Sequence, residues 1–220
     1  MVDALQMLIE PTLETVYMTL VSAIFALILG FPFGALLCVT SEGNLTPNAA
    51  VNNALGRIVN ALRSFPFIIL VILVFPLSRL IVGTSIGASA AIVPLSVAAA
   101  PFVARVVESA LKETSPDLIL AAKAMGSTNA QIIFKVIIPE AYPALASGIA
   151  LTIINIVGYS AMAGAIGGGG LGDLAIRYGY QRFRADVMLG AVAVIVVMVE
   201  LIQYLGDKVV DHIMEKRGLR

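Results

Sequence analysis

Three glycines, Gly167, Gly169 and Gly172, stand at the spacing GxGxxG within the stretch Ala165–Asp173. Between a β-strand and a helix, such a turn cradles a dinucleotide pyrophosphate. Here the glycines close a run of 32 residues, Ala141 to Gly172, that carries no charge, and no parallel-sheet pattern accompanies it. The spacing alone therefore carries no expectation of nucleotide chemistry. Glycines at a helix end let the backbone leave helical geometry and approach another helix closely. Two readings stay open: a flexible external loop, or a break beside the outer mouth of a membrane pathway. Other reactive residues are sparse. One cysteine, Cys38, makes no disulfide framework or thiolate cluster, and one histidine, His212, makes no multi-histidine site. No GxxxxGK[ST] loop is present and no nucleophile–base set can be assembled. The expectation is no catalytic residue, no metal site and no cofactor held by this chain.

The elements that would position anything in this sequence are membrane helices. Hydrophobic residues make up 59% of 220 and charged residues 13%, against about 45–50% and ~25% in soluble domains. Besides Ala141–Gly172, charge is absent from Thr15 to Ser41 and from Leu80 to Ala104. A helix crossing a bilayer needs roughly 20 apolar residues. An all-α, polytopic membrane protein is expected: one domain over 1–220, its core about 13–206. The five spans are about 15–40, 59–78, 85–106, 143–164 and 186–206. Lys and Arg accumulate in cytoplasmic loops. With the N-terminus out and the C-terminus in, Arg79, Arg177, Arg182 and Arg184 fall outside. The other ten of the 14 basic residues, Arg220 among them, fall inside. Formal net charge is zero, so bulk charge gives no argument for nucleic acid.

The longest inward connection, about 107–142, holds "SPDLILAAKAMGSTNAQIIFKVIIP". Ser115 suits an N-cap, Pro116 the first helical position, and Asp117 the positive end of the helix dipole. Gly126 is placed to stop that helix. Thr128 and Gln131 have capping-box spacing for a second helix, which Pro139 would end. A helix-turn-helix DNA reader is poorly supported, because Lys123 is the sole base of the first helix. That helix is apolar almost all round, so it must be covered. Either it packs on the ends of its own spans, or it also enters a groove on a cytosolic partner.

"LAAKAMG" followed nine residues later by "VIIP" resembles the E-A-A-x-x-x-G…I-x-L-P loop of ABC importer permeases. Ala121, Ala122, Gly126, Val136, Ile138 and Pro139 are in register, and Leu120 occupies the place of the usual glutamate. "RSFPFIILVIL", "VGTSIGASAAIVPL", "APFVARVVESAL" and "VGYSAMAGAIGGGGLGDLAIRYGY" are similar to methionine importer permeases over nearly the whole chain. The resemblance implies a homodimeric permease in the bacterial cytoplasmic membrane, sitting on two copies of a separate ABC ATPase. ATP and magnesium would lie on that partner. A substrate-binding protein would deliver D- or L-methionine to the external face. Helix 116–125 would be the cytoplasmic coupling helix between the third and fourth spans. Its docking residues would be Leu118, Leu120, Ala121, Ala122, Lys123, Met125 and Gly126, with Pro139 closing the loop. Leu120 in place of glutamate leaves the glycine turn intact and removes one possible ion pair.

Gly148, Thr152, Asn155 and Tyr159, spaced 4, 3 and 4, form a small and polar face on the fourth span. A buried amide in a bilayer faces another helix or a cavity, so Asn155 serves either interhelical bonding or a pathway. Tyr159, Ser160 and Met162 are the stronger pathway or gate candidates. Pro66, Pro76, Pro94 and Pro101 can kink the second and third spans, or mark their ends. Gly30, Pro32 and Gly34 suggest a bend in the first span. The glycine-rich connection, about 164–185, would be external. A secondary transporter, the main rival, would need internal repeats and intramembrane ionisable groups. Five spans do not divide into halves, and Glu200 is the one acid well inside a span. Another amino acid or small solute in the same importer class is the nearer alternative.

Overall fold

Helices account for the charge-free runs, and they are longer than the apolar stretches alone require. The computed structural model describes residues 2–218, with no strand among them; Arg220 lies outside the described residues. Helix α1 (Val2–Thr40) is followed by α2 (Ala49–Ser64), α3 (Phe67–Val82) and α4 (Ala88–Lys112). Short pieces then follow: α5 (Pro116–Ala124), α6 (Asn129–Ile132), a π-helical turn (Ile133–Ile137) and α7 (Ile138–Glu140). The chain continues as α8 (Tyr142–Gly164), α9 (Gly170–Leu174), a second π turn (Ala175–Tyr180) and α10 (Ala185–Lys216). Helices α1, α4, α8 and α10 are each long and apolar enough to cross a membrane, and α2 with α3 make a bent fifth candidate.

The second candidate span begins earlier than the expected 59–78 and is bent at Pro66, one of the prolines placed to kink it. Helices α2 and α3 meet at 101°. Phe65 is extended (φ −68°, ψ 131°), as a residue before proline prefers, and Pro66 starts the new direction. Pro76, Pro94 and Pro101 stay inside α3 and α4 rather than ending them. Helix α1 runs unbroken through Pro32, so the bend expected at Gly30–Gly34 is no break. The two glycines serve packing: a Cβ on Gly30 would lie 2.5 Å from the Ala100 carbonyl oxygen, and one on Gly34 the same distance from that of Ala104. Without hydrocarbon-on-water driving force between spans, small residues that let helices approach carry much of the association. Gly148 lies against Val106 and Gly206 against Ala150, seating α8 on α4 and α10 on α8.

Helix α4 is thus the central post, buried along most of its length, and α10 is the most exposed span. The largest core cluster joins α1, α4 and α8 to the short helices between α4 and α8 through Met18, Leu95, Val103, Ile132, Ile137 and Ile156. A second cluster joins Leu8 of α1 to Leu171 and Leu174 of α9 and Val187 of α10.

Candidate coupling segment and membrane pathway

The coupling segment is built from local caps on a buried mount. The Asp117 N–H donates to Ser115 Oγ (3.3 Å), and Pro116 occupies the first turn of α5. At the other end Gly126 is left-handed (φ +80°). Its N–H donates to the Lys123 carbonyl (2.9 Å) and the Ser127 N–H to that of Ala122 (3.1 Å), which is a Schellman closure. Thr128 and Gln131 cap each other: the Thr128 N–H donates to Gln131 Oε1 (2.9 Å), and the Gln131 N–H to Thr128 Oγ1 (3.3 Å). Pro139 does not end the second helix, contrary to the expectation from sequence. The preceding π turn widens the ladder, the Ile138 N–H reaching the Ile133 carbonyl, and the proline ring is accommodated in the continuing helix.

Only two residues of α5, Ile119 and Ala122, point into the core. Leu118, Leu120, Ala121, Lys123, Ala124 and Met125 are exposed, Met125 to 80%. Phe134 just beyond is 70% exposed. Of the two coverings expected for this helix, its own spans supply one narrow strip. Two features hold the mount. Arg217, past the end of α10, donates to the Glu140 carbonyl (2.9 Å) and lies over the Tyr142 ring (5.9 Å). Glu108, buried near the C-terminal end of α4, takes Arg105 and Lys112 at 2.6 Å each. Arg105 also donates to the Gly56 carbonyl (3.0 Å) and Asn60 Oδ1 (2.9 Å), tying α2 to α4. These long-range ties leave no mark in the sequence, since nothing local pairs residue 217 with 140 or 105 with 56.

The pathway candidates separate. Tyr159 stacks on Phe67 at the start of α3, centroids 4.3 Å apart and planes 7° from parallel. The pair borders a small cavity of about 130 Å³ with Leu62, Arg63, Phe65 and Phe102. Met162 is half exposed. Ser160 is buried, and its hydroxyl donates to its own helix at the Val157 carbonyl (2.7 Å). Gly148 and Thr152 are taken up by packing, Thr152 Oγ1 donating to the Gly148 carbonyl (2.7 Å). Asn155 is half-buried, and its side-chain amide has no hydrogen-bond partner among the described residues.

The glycine stretch is a packed break. Gly167, Gly169 and Gly170 are left-handed in φ. The turn bonds to α4 through the Gly87 N–H and the Gly167 carbonyl (2.9 Å). It bonds to α1 through the Gly170 N–H and Glu14 Oε2 (2.7 Å) and the Leu171 N–H and Thr15 Oγ1 (2.9 Å). Gly172 lies against the Ala161 backbone, and Gly170, Leu171, Gly172 and Leu174 are buried. A helix, not a strand, precedes these glycines, so they make no dinucleotide turn. Segment 164–185 is therefore not one bare loop.

In sequence and fold the chain is similar to transport proteins. A family model described as the binding-protein-dependent transport system inner membrane component matches residues 30–217. The probable D-methionine transport system permease protein MetI of Vibrio cholerae is 45% identical over 207 residues, covering 94% of this chain and 92% of that protein. The methionine import system permease protein MetP of Bacillus subtilis is 48% identical over 206 residues, with the same coverages of 94% and 92%. A solved inward-facing MetNI methionine ABC transporter superposes with TM-score 0.92 at 48% identity, over 95% of this chain and 97% of that one. An amino acid ABC transporter at 20% identity, TM-score 0.78, shares the fold over 96% of both chains.

Proposed function

Because the chain belongs to the family of binding-protein-dependent transport system inner membrane components, we propose that it is the membrane-spanning subunit of an ATP-driven methionine importer. It is a multi-pass protein of the bacterial cytoplasmic membrane and performs no bond chemistry of its own. ATP and magnesium belong to a separate ATPase, two copies of which serve a permease homodimer. The N-terminus is external and the C-terminus cytoplasmic, and a substrate-binding protein delivers D- or L-methionine to the external face.

The observation that carries this reading is the exposed apolar surface of α5 on a rigid, doubly capped mount. Apolar surface projecting from the cytoplasmic side of a folded membrane protein calls for a partner groove. Leu118, Leu120, Ala121 and Met125 supply the contact, Lys123 a rim charge, and Gly126 the turn that fixes the helix direction. Closure of the ATPase dimer on ATP moves α5, and the buried joint at Ile132 and Ile137 carries the displacement to α4 and α8. Nucleotide thereby biases one of two helix packings. Asn155, Tyr159 and Met162 line the pathway along α8; Ser160 shapes the helix from inside.

The test is ATP turnover by the purified complex, with Leu120→Asp combined with Met125→Asp. Burying two carboxylates in an apolar groove should release the ATPase from the permease and abolish turnover stimulated by the loaded binding protein. Co-elution and stimulation at wild-type levels would refute docking through α5.

A further inference from the structure

Helix α2 carries two stripes that flank its packing on α1 and α4, Leu55 tucked partly against Leu37 and Ala104 at the edge of one and Asn60 accepting from Arg105 at the edge of the other. Val51, Leu55, Ile58 and Leu62, spaced 4, 3 and 4, are apolar, and Val51, Ile58 and Leu62 are exposed to 39%, 57% and 40%. Asn53, Arg57, Asn60 and Ser64, at the same spacing, are polar and exposed. The packed strip of Asn52, Gly56 and Val59 lies between them: Asn52 donates to the Leu37 carbonyl (2.7 Å), and the Gly56 carbonyl accepts from Arg105. A helix that hides one edge in protein and shows an apolar side and a polar side to its surroundings has the pattern of a helix lying in a membrane surface.

The bend gives the depth. Helix α3 has 16 residues, about 24 Å at 1.5 Å per residue, somewhat less than the ~30 Å hydrocarbon core. The two helices meet at 101°, so with α3 standing across the bilayer α2 runs close to parallel with its surface. Its apolar stripe continues the exposed apolar surface of α1. Leu29 and Phe33 of α1, Ile58 and Leu62 of α2 and Val97 and Pro101 of α4 border an open notch of about 210 Å³. Arg57 is the cation of the polar stripe, on the side away from that notch.

We propose that α2 lies in the cytoplasmic leaflet, with lipid acyl chains filling the notch beneath it and an anionic phospholipid headgroup held at Arg57. Continuity with the exposed apolar residues Leu29 and Phe33, along a helix long and apolar enough to cross the membrane, favours lipid over a second copy of the chain. The leaflet assignment rests on the topology proposed above. Lipid composition then reaches the coupling segment by a short route, since Arg105 links α2 to Glu108 and Lys112 at the end of α4.

The test uses the full importer complex in liposomes of phosphatidylcholine, with or without phosphatidylglycerol. In a Cys38→Ala background, nitroxide labels are placed through Ile58→Cys, Leu62→Cys or Asn53→Cys. The labels at 58 and 62 should be relaxed by oxygen and shielded from an aqueous nickel chelate, and the label at 53 the reverse. In a second arm, phosphatidylglycerol should raise ATP-dependent uptake by wild type about two- to fivefold, and Arg57→Gln should lose that gain while keeping uptake in neutral lipid. Chelate access at 58 and 62 would overturn the proposal, as would labels there that neither reagent reaches and that broaden one another, the sign of a second copy. An uptake gain kept in Arg57→Gln would overturn the headgroup site. If the depth pattern holds and no lipid mixture supports uptake, the importer reading fails and the surface helix stands.

Discussion

Single side chains in this protein act mainly by letting backbones meet or by bonding across helix ends. Glu14 ties α1 to the glycine break by accepting from the Gly170 N–H. Glu14→Ala leaves a buried donor unpaired and should cost about 1–3 kcal/mol in thermal unfolding of the solubilised complex, while Glu14→Gln, which keeps an acceptor, should cost less. Gly30→Ala places a methyl within 2.5–2.8 Å of Ala100 and Val103 and should cost about 1–3 kcal/mol. Gly158→Ala meets nothing within 4 Å and should stay within ±0.5 kcal/mol of wild type in the same unfolding measurement. At this scale the legible residues were those whose chemistry is local. Ser115, Gly126, Thr128 and Gln131 cap neighbours in sequence. The aromatic partner of Tyr159, the carbonyl that Arg217 grips and the acid that caps α9 are set by tertiary packing, which leaves no periodic trace.

Elements show where sequence periodicity runs out. Runs free of charge mark membrane helices, so the spans were legible to within a turn or two at several ends. The 101° bend in the second span was hidden because α2 is amphipathic and α3 uniformly apolar, and a window across both averages to one span. Pro66 marked the place without giving the angle. Pro139 misled because a π turn can absorb a proline ring. The glycine stretch admitted two readings, and close contact with Thr15, Met18 and Ala161 favours a packed break. Two element-scale predictions follow from these joints. Gly126→Val forces a β-branched side chain into the left-handed region at a cost of about 1–2 kcal/mol, so it should redirect α5. The complex should insert yet lose stimulated ATP turnover. Glu108→Gln removes the charge between Arg105 and Lys112, both partly exposed, and should lower stability by about 1–2 kcal/mol in denaturation of the complex.

For the whole molecule, the architecture is a post with two working ends. Helix α4 holds α1 and α8 against itself. The glycine break closes one end, and α5 on its capped mount forms the other. The sequence made the class and the family legible, because membrane composition and the loop around Ala121–Pro139 are dense signals. It left open how α5 is covered, since an apolar helix reads alike whether its own spans or a partner cover it. The exposure of Leu120 and Met125 favours the partner. The most direct measurement of the central claim is uptake of labelled methionine into proteoliposomes holding the permease with its cognate ATPase, binding protein outside and ATP inside. The account predicts uptake that requires ATP and the binding protein and is lost in Gly126→Val. Uptake that proceeds without ATP, or that survives Gly126→Val unchanged, would contradict it.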